Sequence, residues 1–212
     1  SDVLKKQEGS YTDLYFNYTI NQDLRDRKFR TQDGYQTFFS QEVPLISDNS
    51  EFSNAFEFSK FKKLSTKSDT IGKVSFFAKT ITSLSDDVRI SKRLNIPTNK
   101  LRGFEKGRVG PIDNNDYVGG NHVTTLNLSA TLPNILEDLD NLDIGVFFDA
   151  ANIWGVDYNS SLDDKSTIRT STGIAFNLLT PIGPLSFSFA NALTKASSDK
   201  TETFRFRLGT QF

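Results

Sequence analysis

Few residues in this chain are placed to do chemistry, and the most promising are charged. There is no cysteine, which removes disulfides, zinc knuckles and thiol nucleophiles together. The single histidine, His122, excludes a multi-histidine metal site. No serine or aspartate is spaced to build a hydrolase around it, so His122 reads as structural. More promising is the segment 83–119, which carries Leu101-Arg102-Gly103-Phe104 and then Gly110-Pro111. Gly103, Gly107, Gly110, Gly119 and Gly120 give this region positive-φ options and close backbone approach. They do not read as a phosphate cradle, because no strand–glycine loop–helix unit surrounds them. The chemistry open to Arg102 is pairing. Asp149 closes a strongly alternating segment, and a bidentate, charge-assisted contact between the two would be stronger than an exposed ion pair. The competing reading is a solvated loop arginine with no partner.

Such a pair needs a scaffold, and the scaffold reads as all-β. Apolar residues recur with period two: Leu14, Phe16, Tyr18 and Ile20; Leu126, Leu128, Ala130 and Leu132; Ile144, Val146 and Phe148. The same holds for Ile174, Phe176 and Leu178, for Leu185, Phe187 and Phe189, and for Phe204, Phe206, Leu208 and Phe212. With less regular runs near 34–43, 54–64 and 72–82, the pattern predicts nine strands. They are placed at 13–21, 34–43, 54–64, 72–82, 120–132, 142–149, 168–179, 184–191 and 202–212. Most have the length that crosses a bilayer at a tilt, about 9–11 residues. The gaps alternate, with the second, fourth, sixth and eighth together much longer than the rest, 44–53 and 83–119 among them. Short turns on one side and long loops on the other are the mark of an outer-membrane barrel, whereas a soluble β-sandwich has no reason to sort its loops by parity. On this parity Asp149 faces the lumen. Arg205 and Arg207 read as part of a solvated interior wall, and Phe212 and Trp154 as rim aromatics.

Composition agrees. Apolar residues make up 36%, aromatic residues 12%, and 19 of the latter are phenylalanine. Mean hydropathy is −0.42, so no stretch approaches a membrane helix, while a barrel that alternates lipid-facing and lumen-facing residues remains open. Lys+Arg total 25 against 26 Asp+Glu, a net charge of −1, which leaves no basic excess for a nucleic-acid partner. The cluster Lys60-Phe61-Lys62-Lys63 lies beside a short turn and reads as solvated or headgroup-facing. An odd strand number and an exposed apolar edge predict further strands upstream of Ser1.

Four motifs in order carry a resemblance. They are Leu101-Arg102-Gly103-Phe104 with Gly110-Pro111 and Tyr117-Val118-Gly119-Gly120-Asn121; Phe148-Asp149-Ala150-Ala151-Asn152-Ile153-Trp154; Ile182-Gly183-Pro184-Leu185; and the ending Phe204 to Phe212 through Gly209. Together they resemble the BamA superfamily of outer-membrane assembly and translocation barrels over residues 13–212. Ala151 stands where that family usually has glycine, and Ser129 where it often has a lumenal glutamate.

The resemblance implies an all-β fold: a transmembrane antiparallel β-barrel of about sixteen strands, of which residues 1–212 are the C-terminal nine, with 83–119 as a long extracellular loop. The N-terminal strands and the periplasmic POTRA domains would lie outside this chain. It implies no reaction, metal or cofactor, a bacterial outer-membrane location, and a loop brace from Leu101, Arg102, Gly103, Phe104, Gly110 and Pro111 onto Asp149. The implied mechanism is a weak seam between the first and last strands, the latter formed by Phe204, Phe206, Leu208, Gly209 and Phe212. Partners would be unfolded outer-membrane clients, accessory lipoproteins and the bilayer. A TamA-like assembly factor, a two-partner-secretion translocator, a passive porin or adhesin and a soluble β-sandwich are the alternatives.

Overall fold

Side chains of period two can bury one face only as a sheet, and the chain forms eleven strands with no α-helical element longer than a turn among its described residues. The computed structural model describes residues 5, 7–28, 30–65, 69–133, 141–162, 164, 167–181 and 183–208. The strands are β1 (Asp13–Asp23), β2 (Gly34–Ser47), β3 (Glu51–Lys63), β4 (Ile71–Ser83), β5 (Ile112–Asp113), β6 (Asp116–Tyr117), β7 (His122–Pro133), β8 (Leu142–Trp154), β9 (Arg169–Thr180), β10 (Gly183–Thr194) and β11 (Phe204–Leu208). Nine of them make one antiparallel meander in the order β1-β2-β3-β4-β7-β8-β9-β10-β11, with β1 and β11 at its edges. The short strands β5 and β6 form a separate hairpin within the long connection, turned by Asn114 and Asn115 at positive φ.

The nine expected strands are therefore present, with three changes at their ends. β2 runs on to Ser47, and its connection to β3 is only residues 48–50, so this gap does not belong with the long ones. β8 continues to Trp154, paired along its whole extension with β7 as far as His122↔Trp154. Gly209 and Phe212 of the terminal strand, and Ile182 of the preceding hairpin, lie outside the described residues.

The outer face is apolar and largely uncovered: Leu14, Phe16, Ile20, Val146, Phe189, Phe204, Phe206 and Leu208 are each about half exposed or more. In water such a surface would be an aggregation site; against acyl chains it is the expected wall. The apolar belt does not follow the pairing rows. The row Ile20–Phe39–Phe56–Ala78 ends in Thr124 and Asn152, whereas the row beginning Lys62–Gly72–Ala130–Val146 ends in Ile174, Phe189 and Phe204. A level belt that crosses its own rows is what tilted strands require.

The inner face is mostly polar over its short-turn half, where Lys73, Ser129 and Thr131 stand beside Phe61 and Ile71, and it carries the buried Ser59–Ser75 hydroxyl pair at 2.8 Å. Towards the long-loop end it changes character. Ile81, Val123, Ala151 and Ile153 point inward there and are almost fully buried. They pack beneath Val88, Leu94, Leu101, Phe104 and Val109 of the connection 84–121. The long connection is thus folded onto the inner wall and closes a small core of its own.

Candidate functional site

An inward-folded loop can hold its place only if its polar groups are satisfied, and this one is fixed by arginines along its length. At its start Arg89 donates through Nε to Glu51 Oε1 at 3.1 Å, and through Nη2 to Glu51 Oε2 at 2.8 Å and Asp13 Oδ2 at 2.6 Å. Arg93 donates to Asp157 and, through Nη1, to Asn121 Oδ1 at 3.1 Å. Lys100 reaches Glu57 on β3.

Arg102 makes the central contact. Its Nε and Nη2 donate to the two oxygens of Asp149 at 2.8 and 2.7 Å, and its backbone N–H adds a third bond at 3.1 Å. Asp149 is fully buried, and the guanidinium lies over the Phe147 ring with its central carbon 3.4 Å from the centroid. The position opposite Asp149 on β7 is Asn127, whose amide donates to Asp149 at 2.8 Å and to the Lys100 carbonyl at 2.7 Å. Asn127 therefore adds a second anchor for the loop, two residues from Ser129 on the same face of β7.

The rest of the motif makes this approach possible. Leu101 and Phe104 are buried beside Val109 and Ala151. Gly103 sits at φ +86°, and a Cβ there would lie 3.1 Å from Ala190 Cβ and 3.3 Å from Ser171 Cβ, so the turn lies flat on β9 and β10. Gly110, at φ +116°, lies against Ile153, while its N–H donates to Asp199 Oδ1 at 3.2 Å. Pro111 is buried, and its carbonyl accepts the Val118 N–H at 3.1 Å.

Three groups at this site escaped the reading by residue type. Arg205 of β11 does not face open solvent. It donates to the carbonyls of Thr98 (2.6 Å) and Phe104, on either side of the Arg102 turn, and to Glu202 at 2.7 Å. Second, Arg169 of β9, fully buried, donates through Nε to Asp199 Oδ2 at 2.9 Å. Third, the connection 195–203 is hydrogen-bonded along the loop through Glu105 N–H to the Lys200 carbonyl, Lys200 N–H to the Arg108 carbonyl, and Glu202 N–H to the Gly103 carbonyl. A long-range pairing between loops leaves no periodicity in the sequence to find it by. Phe204, Phe206 and Leu208 point outward from the same strand and are exposed.

One contact sets a pH window. Burial pushes the Asp157 carboxyl up, but the Val88 N–H, the Asn121 amide and the Arg93 guanidinium outweigh it and hold it below its ordinary value of 3.8. A carboxylate lowered in the folded state adds stability above its ordinary pKa and loses it as pH falls through the lowered value. Amide exchange at Val88 and Asn121 is therefore expected to stay protected down to about pH 5 and to open only below the usual carboxylate range. Loss of protection between about pH 7 and 5 would show that Asp157 does not hold this end of the loop.

A family model described as the Omp85 superfamily domain matches residues 2–212. An outer membrane protein assembly factor BamA from Neisseria meningitidis serogroup B is 31% identical over 53% of this chain and 17% of its own length. One from Neorickettsia risticii is 27% identical over 54% of this chain and 16% of its own. The matched part is thus about a sixth of these relatives. The crystal structure of BamA from Haemophilus ducreyi lacking POTRA domains 1–3 superposes with a TM-score of 0.83 at 25% identity, covering 91% of this chain and 41% of that one.

Proposed function

The chain belongs to the Omp85 superfamily, and from that premise we propose that it forms the last nine strands of the barrel of an outer-membrane protein assembly factor. In this reading the remaining strands and the POTRA domains belong to the rest of the protein. The short turns face the periplasm, and the connection 84–121 is an extracellular loop folded back into the lumen. Unfolded outer-membrane proteins are the clients, accessory lipoproteins the partners, and no cofactor takes part.

The observation that carries the proposal is the double attachment of the loop. Arg102 ties it to the interior wall at Asp149, and Arg205 ties it to the last strand. The loop is therefore a strut between an inner strand of the sheet and the edge at which a seam would open. At that edge β11 pairs with β10 over five registered residues, Phe204–Leu208, among those described. An incoming client strand can add there by β-augmentation, exchanging one set of backbone hydrogen bonds for another. Templating matters because unpaired backbone groups are costly in a bilayer. A strut that holds the edge in register supports that exchange without any chemical step.

The test is insertion by the complete protein in proteoliposomes. Folding of an urea-unfolded barrel client into these vesicles is expected to be faster than into empty vesicles of the same lipid. The same rate in both would overturn the reading.

A further inference from the structure

The outer wall carries one feature that the strut and seam do not use. At the short-turn end of β3 the side chains of Lys60 and Lys62 point outward, away from the inner-facing Ser59 and Phe61. Lys62 begins the row Lys62–Gly72–Ala130–Val146, and Lys60, registered with Tyr35 of β2, lies on the next, Lys60–Val74–Leu128–Phe148. Gly72 and Ala130 are small and adjacent, so the first row dips between Leu64 on one side and Val146 on the other. The result is a shallow groove of about 530 Å³ walled by apolar side chains, with the two ammonium groups at one end. The neighbouring acid is Asp33, which accepts from Lys62 Nζ at 2.8 Å. Both members of that pair are more than half exposed, at 65% and 56%, so the bond is weak and easily exchanged.

We propose that this groove binds an anionic phospholipid of the periplasmic leaflet, with an acyl chain over Gly72 and Ala130 and the phosphate between Lys60 and Lys62. The chemistry selects this occupant. A long apolar groove open to the membrane suits an acyl chain, and two lysines against one carboxylate leave a net positive charge for a headgroup. The tilt of the belt puts the lysines at its lower rim, at headgroup height, where their stems lie along apolar surface. The inference rests on the membrane placement of the wall and not on client assembly, so it stands or falls independently of the insertion assay.

The experiment uses the complete protein in mixed micelles with phosphatidylglycerol carrying a photoreactive group in its acyl tail, followed by peptide mapping. Labelling is expected in the peptides containing Gly72, Ala130 and Val146, at least about fivefold above that from the matching phosphatidylcholine probe. Lys60→Gln with Lys62→Gln is expected to abolish that preference, and Lys60→Arg with Lys62→Arg to keep it. Gly72→Leu, which fills the groove from the lipid side, is expected to lose the label with both lysines intact. Variants are compared only where the barrel keeps its heat-modifiable mobility on gels. Equal labelling by the two lipids, or loss of preference in Lys28→Gln to the same degree as in the double variant, would reduce the site to ordinary annular lipid and overturn the proposal.

Discussion

Arg102→Ala in the complete protein is expected to release the loop 84–121 from the wall and to slow client insertion by about tenfold or more, while Lys106→Ala leaves both unchanged. The reason lies in what remains behind. Asp149 is fully buried, and without the guanidinium its charge keeps only the Asn127 amide and one backbone N–H. Breaking a buried pair from one side costs about 3–5 kcal/mol, a hundredfold or more in the docking equilibrium. Arg102→Lys is expected to recover little, because an ammonium can neither bridge both carboxylate oxygens nor lie flat on Phe147. Adding Asp149→Ala to Arg102→Ala removes the stranded charge and is expected to restore part of the docking, so the two changes are not additive. Exchange protection of the loop and insertion rate check both steps. Wild-type behaviour of Arg102→Ala and Lys106→Ala alike would remove the strut.

A second large effect is expected from covalent closure of the seam. The chain lacks cysteine, so introduced thiols face no competition within it. A disulfide from Arg207→Cys to a facing cysteine on the first strand of the complete barrel should abolish insertion when oxidised and restore it with reductant. The informative control links β11 to its other neighbour. Ser186 and Arg207 are directly registered, so Ser186→Cys with Arg207→Cys locks a pair that the mechanism keeps closed. Activity is expected to survive that lock. Full activity in the oxidised seam-linked form would exclude strand exchange at this edge.

The sequence carried most of the sheet, and its misplaced end of β8 has a definite physical cause. Alternation located the strands, since a face against lipid must be apolar at every second residue. In β8 the rule holds through Ile144, Val146 and Phe148 and then shifts by one residue to Ala151 and Ile153. The strand does not end there; its buried face changes from the outside to the inside because the loop covers it. Ile81 on β4 and Val123 on β7 record the same switch. A pattern read with one solvent in mind takes such a shift for a strand terminus, and so predicts that β8 stops at Asp149. Arg102 and Asp149 were legible because their motif is compact. Arg205, Arg169 and Asp199 were not, since each takes its meaning from a partner at least 30 residues away.

The inward apolar patch formed by Ile81, Val123 and Ile153 also bears on what the barrel would be without its loop. A pore conducts water and ions when its lining is polar, and a hydrophobic constriction sheds water and blocks both. Pulling the connection 84–121 off the inner wall would expose an apolar patch on three neighbouring strands, β4, β7 and β8, on one side of the long-loop end. In a barrel of about sixteen strands, one such patch beside a polar wall would not close the aqueous channel, so displacement of the loop would be read out as leakiness.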